Sequence, residues 1–290
     1  MNKDLHPVTP LLTENWYTEK FTTEGSSFGL QVTQTLHQEQ SDFQRIELYE
    51  TSHFGNLLVL DGCIMLTEKD NFIYHEMMSH PALFSHPSPD QVAIIGGGDC
   101  GTLKEVLKHK EVEKVVQVEI DRRVTELCQQ YFPQLCESNS DPRVEFYFGD
   151  GINWIKNHSR ATLDLLIIDS TDPVGPAAGL FSRAFYSACF AALKPGGLMV
   201  LQSESPLYHS QTIIREMKTN LLDSGFENIT TRLFPQPVYP SGWWSCTACY
   251  KNDPEQMNDH RMKRDKRFAT GYYNAEIHSA SQALPEFMRE

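Results

Sequence analysis

Four carboxylates stand where apolar runs end: Asp99 after QVAIIGGG, Glu119 after KVVQV, Asp150 after RVEFYFG and Asp169 after LDLLII, with Asp172 three residues beyond. An acid delivered by the end of a buried strand is held rigidly and partly desolvated, which suits it to pair with a cation or to take a proton. Gly96-Gly97-Gly98-Asp99-Cys100-Gly101 reads as a strand-to-helix glycine loop, where backbone approaches a ligand closely. Glu119 follows about twenty residues later, the place where a carboxylate accepts both ribose hydroxyls of an adenosyl or nicotinamide ligand. Loop and acid together point to an adenosine-type nucleoside. Asp150 fits an adenine amino group or an N-cap for GINWIKNH, and the two roles are compatible. Asp169 and Asp172 enter a loop stiffened by Pro173, Gly175 and Pro176. Such acids hold ammonium groups, or one takes a proton from an attacking amine. Turn chemistry at Asp172-Pro173 is the plainer alternative.

Other motifs carry less. His75-Glu76-Met-Met-Ser-His80 resembles a zinc-protease helix only on the surface, because histidines five apart lie about 140° around a helix. Cys246 and Cys249 spell C-x-x-C inside a strand-like run, with no second such pair to complete a zinc ribbon. No metal site is expected. Seven cysteines without framework spacing imply free thiols in a reducing compartment. The net charge of −13 argues against a nucleic-acid partner and permits a cationic small substrate. No apolar run approaches the roughly 18 residues of a membrane span, and MNKDLHPVTP lacks a secretory core, so a cytoplasmic protein is expected.

These residues need a scaffold. From residue 16 to about 75 the chain shows short strand-like runs (SFGLQVTQTLHQ, FQRIELYET, GNLLVLDG, CIMLTE) with turn signals at Gly55-Asn56 and Asp61-Gly62. An N-terminal antiparallel β domain over 1–75 is expected. From Phe72 helix and strand alternate, which implies an α/β domain over 76–290 with a parallel sheet and helices on both faces. Ligands then gather at the carboxyl ends of the strands. The polar stretch 251–268 reads as a solvated loop, and YYNAEIHSASQALPEFM as a segment that packs back on the domain.

The chain resembles the spermidine synthases and related aminopropyltransferases. The resemblance rests on FIYHEMM, IIGGGDCG, VEIDRRV, GDGINW, IIDSTDPVGPA, FYSACFAALKPGG, PVYPSGWW and YYNAEIHSASQALP, in order over nearly the whole chain. It implies an N-terminal β domain and a C-terminal Rossmann-like, methyltransferase-type domain, with the active site between them. It implies transfer from decarboxylated S-adenosylmethionine to putrescine, with no cofactor beyond that co-substrate, in a homodimer or homotetramer. By position, Gln44 and Asp99 would hold the donor's aminopropyl-sulfonium end, Glu119 the ribose, and Asp150, Gly151 and the Pro176 loop the adenine. Tyr74 and Asp169 would position and deprotonate the amine. His75, Asp172 and Tyr239 would line the diamine channel with Trp244 nearby, and Asp99 and Asp169 would share in diamine binding. A gate loop would span about Ser170 to Leu180. Two departures stand out: Cys100 replaces a glycine usual in the family, and His75 replaces a glutamine of some members.

The reaction so implied is displacement at the carbon next to a sulfonium. The rivals are a methyltransferase using intact S-adenosylmethionine on a diamine, a non-catalytic polyamine-binding protein, and a nicotinamide dehydrogenase. Asp99 argues against the first, because an acid there would repel the methionine carboxylate. The second would need the Asp169 base to be lost, and it is present. The third has only the glycines and Glu119 in its favour.

Overall fold

Asp61 and Gly62 both have positive φ, 49° and 88°, and form the two-residue turn between β4 (Asn56–Leu60) and β5 (Cys63–Thr67). This is one corner of a five-stranded antiparallel meander whose other strands are β1 (Trp16–Phe21), β2 (Ser26–Gln40) and β3 (Arg45–Thr51), paired in chain order. The computed structural model describes residues 15–171, 175–252 and 266–289. Strand β1 was not among the expected runs. Its WYTEKF alternates weakly, and its place comes from pairing with β2.

Helix α1 (Asn71–Ser85) leads into the second sheet, and the division expected at 75/76 falls within it. There follow β6 (Gln91–Gly96), α2 (Gly101–Leu107), β7 (Lys114–Glu119), α3 (Arg122–Tyr131), β8 (Val144–Phe148), α4 (Gly151–Asn157) and β9 (Leu163–Asp169). Then come α5 (Arg183–Ala192), β10 (Leu193–Gln202), α6 (Pro206–His209), α7 (Ile213–Asp223), β11 (Glu227–Pro235), β12 (Trp243–Tyr250) and α8 (Ala275–Ala280). The sheet order is β11-β12-β10-β9-β6-β7-β8. The strands β6 to β10 pair in parallel, as expected of crossovers through helices, but β12 runs antiparallel to both β10 and β11. A short turn joins β11 to β12, which permits only the antiparallel return.

Along β6 the side chains alternate between two cores. Val92 and Ile94 pack with α1 and α2 through Met77, Leu83, Leu103 and Val106, while Ala93 and Ile95 pack with α4, α5 and α7. Strand β9 is buried along its whole length between these layers. The first sheet docks by a third core, in which Ile46, Leu48, Leu58 and Leu66 meet Val124, Leu127 and Phe132 of α3 and its exit. Each such side chain contributes about 1.5–3 kcal/mol over its exposed state. On the other face Leu57, Val59 and Ile64 close on Val238. The two sheets are thereby held apart at one edge, which opens a cleft above the carboxyl ends of β6, β7 and β9.

The C-terminal segment does pack back. Glu76 of α1 accepts the backbone N–H groups of Gly271, Tyr272 and Tyr273 at 2.6, 2.8 and 2.7 Å, and Arg232 donates to the His278 carbonyl at 2.6 Å. Most of the loop expected over 251–268 lies outside the described residues. None of the helices among them is long and apolar enough to cross a membrane.

Candidate active site

A cleft of about 330 Å³ lies between the two sheets. All four strand-end acids that the structure describes reach it: Asp99, Glu119, Asp150 and Asp169. The first sheet supplies the opposite wall through Gln44, Leu58, Leu60 and Met65.

Asp169 is the most constrained of the acids. The Tyr74 hydroxyl donates to its Oδ1 at 2.7 Å and the Thr102 hydroxyl to its Oδ2 at 2.6 Å. Burial pushes its carboxyl above the usual carboxylate range, the charge of Asp99 adds to that, and His75, Thr102 and Tyr74 oppose it. Gly97 makes this packing possible: its φ is +66°, and a Cβ there would sit 2.8 Å from Asp169 Oδ2. Burial and the Asp169 charge also raise the Tyr74 phenol well above its ordinary value, so it stays a donor.

Asp99 behaves oppositely. Burial would raise it, but the His75 imidazole at 3.2 Å and the Gly101 N–H at 2.6 Å hold it below the usual range. His75 itself lines neither the cleft nor the side cavity beside it. It stands behind Asp99, 3% exposed, against Gly101, where a Cβ would lie 2.1 Å from the ring. The channel-lining place expected for His75 is thus occupied by Asp99, which it backs.

Glu119 is buried, and that burial lifts its carboxyl to about 7, while the Asp121 N–H pulls the other way. Asp150 caps α4 through Ile152 N–H at 2.8 Å and still faces the cleft, so the capping and the binding positions coincide. Gly151 lines the same wall. The Gln44 amide donates to Asp121 Oδ2 at 3.1 Å, which ties the first sheet to the second beside the cleft mouth. Asp172 lies outside the described residues, as does the Pro176 side chain; of the expected gate, Ser170 and Thr171 are described, and then Gly175 onward, as a 3-10 turn to Phe181.

Cys100 does not reach the cleft. Its φ is +67°, and its thiol faces the Gly98 carbonyl at 3.6 Å and the Asn139 amide at 3.4 Å, in the core behind the loop. The neighbouring Cys136 thiol, and then burial, push its pKa up and keep it protonated. Among the described residues no group of three or more His, Cys, Asp or Glu is arranged to hold a metal.

A side cavity of about 30 Å³ continues past Tyr74, lined by Glu19, Gln202, Ser170, Tyr239, Pro240 and Trp244 among others. Tyr239 is braced by its hydroxyl on the Met65 carbonyl at 2.5 Å. The Trp244 indole N–H and the Ser170 hydroxyl are buried here without a partner among the described residues. Burial raises Glu19 to about 7, against the Ile64 N–H that donates to it at 2.8 Å. A narrow, acidic pocket with orphaned polar atoms suits the far end of a polar, cationic chain.

Glu19, Gln202 and Thr102 are absent from the sequence-based set. Gln202 ends a parallel strand, so the strand-end signal that found the acids applied to it equally. Thr102 follows the glycine loop by one residue. Glu19 carried no signal, because β1 was not recognised.

The arrangement is that of a nucleoside-dependent group transferase on a Rossmann-like sheet. The chain belongs to the spermine/spermidine synthase family: the model of the spermine/spermidine synthase domain matches residues 71–260, and that of the spermidine synthase tetramerisation domain matches 15–68. A polyamine aminopropyltransferase of Thioalkalivibrio sulfidiphilus is 54% identical over 279 residues, 96% of this chain and 98% of that one. One from Methylococcus capsulatus is 52% identical, covering 94% and 95%. A crystal structure of a spermidine synthase with the transition-state analogue AdoDATO superposes with a TM-score of 0.88 at 37% identity, over 99% of this chain and 96% of that one. The spermidine synthase of Thermotoga maritima gives 0.85 at 35%, with the same coverage.

Proposed function

We propose that the chain is an aminopropyltransferase that moves the aminopropyl group of decarboxylated S-adenosylmethionine to putrescine, giving spermidine and methylthioadenosine. The observation that carries this reading is the opposed pair on the cleft floor: Asp99 held ionised by His75, and Asp169 pushed up by burial and aligned by Tyr74 and Thr102. An ionised acid beside a poised base is what a cationic donor and an ammonium nucleophile require.

On this reading Glu119 takes the ribose hydroxyls, Asp150, Gly151 and the Pro176 loop take the adenine, and Asp99 with Gln44 takes the aminopropyl end. Tyr74 and Asp169 hold the near amine, and Asp172, Tyr239 and Trp244 follow the diamine outward to Glu19 and Gln202. His75 acts through Asp99. The near ammonium loses a proton to Asp169, and its lone pair forms the bond to carbon. The carbon–sulfur pair returns to sulfur, which leaves as a neutral thioether. The donor carries its own leaving group, so the reading calls for no cofactor. Aligning nitrogen, carbon and sulfur in the cleft lowers the barrier by paying the entropy of bringing donor and amine together in advance.

We further place the protein in the cytoplasm, as a homodimer or homotetramer without nucleic-acid partners. The seven free thiols, the acidic charge and the match of residues 15–68 support this. Incubation with decarboxylated S-adenosylmethionine and putrescine is expected to release methylthioadenosine and spermidine in equal amounts. A methylated diamine formed from intact S-adenosylmethionine would replace this reading with a methyltransferase.

A further inference from the structure

Gln202, which lines the side cavity, is hydrogen-bonded to a cluster of charged residues that the reaction does not use. The Gln202 amide donates to Glu204 Oε1 at 3.2 Å, and the Glu204 N–H returns to Gln202 Oε1 at 3.1 Å. Glu204 is 1% exposed and sits at φ +68°, a conformation that a non-glycine residue adopts only when its surroundings enforce it. Its Oε2 lies 3.4 Å from His209 Nδ1, and His209 Nε2 lies 3.5 Å from Glu24 Oε1 in the turn between β1 and β2. Beside it the Tyr208 and Ser26 hydroxyls meet at 3.0 Å. Two carboxylates from two domains therefore stand at ion-pair distance from one imidazole, whose Nδ1 makes no hydrogen bond among the described residues. Gln202 links this group to the side cavity, where Trp244, 3% exposed, has no partner for its indole N–H among the described residues.

On the reading above, a diamine would end within the side cavity on Glu19. A triamine carries a further ammonium, one three-carbon arm beyond. Its natural partners in this direction are Glu204 and Glu24, and His209 already occupies them. Taking aminopropyl transfer to a diamine as the reaction, we propose that His209 is the residue that limits acceptor length, its imidazolium filling the carboxylate pair that a third ammonium would need. The groups facing it are Glu24 from the first sheet, Glu204 from the exit of β10, and the Tyr208 ring on its own helix. The two carboxylates outweigh burial and raise the His209 pKa above its ordinary value, which keeps the blocking charge in place near neutrality.

The test is the ratio of kcat/KM for spermidine to that for putrescine, with decarboxylated S-adenosylmethionine as donor and product masses as the readout. Wild type is expected to favour putrescine strongly. In His209→Gln, which keeps a hydrogen-bonding side chain and removes the charge, the ratio should rise about tenfold or more, the worth of freeing one charge pair. In His209→Lys, which restores a cation, it should return toward wild type. An unchanged ratio in His209→Gln, or an equal rise in both variants, overturns the proposal, as does a wild type that uses both amines equally well. Methylthioadenosine binding reports whether a variant is folded. Should His209→Gln fail that check, wild type answers alone: its ratio should climb as pH rises through the His209 pKa, and a flat ratio from about pH 6 to 9 overturns the assignment. No methylthioadenosine from wild type and putrescine would instead overturn the aminopropyl-transfer reading, and this proposal with it.

Discussion

The near and far ends of the amine path are built by different means. At the near end Asp99 lies in the loop just after β6 and Asp169 ends the adjacent parallel strand β9, and their partners Tyr74, His75 and Thr102 come from the two helices packed on those strands. At the far end Glu19 comes from the first sheet, Gln202 from β10 and Trp244 from β12, so three distant segments must dock before the pocket exists. On the proposed reading, bond-making chemistry falls to residues fixed by adjacent buried strands and the helices packed on them. On the same reading, recognition of the acceptor falls to a junction, where a substitution in either domain would alter the fit without disturbing strands β6 and β9.

That contrast is open to test, and the largest effect should come at the near end. Asp169→Asn is expected to lower kcat by about 10² to 10⁴, the usual worth of a general base, with donor affinity little changed. Near-normal turnover at neutral pH would remove Asp169 from the chemistry. Next is donor choice. Asp99→Ile removes the partner of the donor ammonium and leaves His75 unpaired, so binding of the decarboxylated donor should weaken by about 3 kcal/mol, roughly 10²-fold. Exclusion of intact S-adenosylmethionine should relax at the same time. Calorimetry with both donors at fixed salt checks this; an affinity ratio that does not fall would strip Asp99 of its selecting role.

At the far end the effect should be smaller and fall on KM. Glu19→Gln is expected to raise the putrescine KM about tenfold while kcat changes less, since it removes one charge pair remote from the reacting atoms. The pH dependence separates the two ends further. Glu19 is raised by burial to about 7, so it is neutral below that value and ionised above it. Putrescine KM at saturating donor should therefore rise as pH falls through about 7, and this limb should vanish in Glu19→Gln. For folding the sign is opposite. A carboxyl raised from its ordinary value favours the folded state most at low pH, and that contribution is lost as pH climbs through about 7. Thermal melts of wild type and Glu19→Gln between pH 5 and 8 should then converge at the acidic end. The smallest change is Asp150→Ala, which removes the cap of α4 and should cost about 1 kcal/mol of stability by denaturant titration. A loss confined to donor affinity, with stability intact, would mean that the cap is dispensable.

Much of the near end was legible before any coordinates. Apolar runs ending in acids at 99, 119, 150 and 169 follow from covalent order alone: a buried parallel strand must end at the same sheet edge as its neighbours, so their terminal residues converge. The glycine loop, the Asp-Gly turn at 61–62 and the absence of a shared face for His75 and His80 are likewise local facts of spacing and backbone freedom. Local pattern failed where pairing or docking took over. Strand β1 owes its existence to β2, and the antiparallel β12 reads like any buried strand.

His75 and Cys100 show the limit most sharply. Each sits beside a residue of the cleft in the sequence, and each turns away from the cleft in space, His75 behind Asp99 and Cys100 into the core with Asn139. Sequence order told which residues share an edge, because strand direction and side-chain alternation are short-range. Which side chain faces the cleft, which carboxylate is held ionised, and which acid ends the pocket depend on packing between segments far apart in the chain. Charge and burial act through space, so Glu19 and Gln202 meet in one cavity, and Glu24, His209 and Glu204 come together, only where the two sheets close on each other.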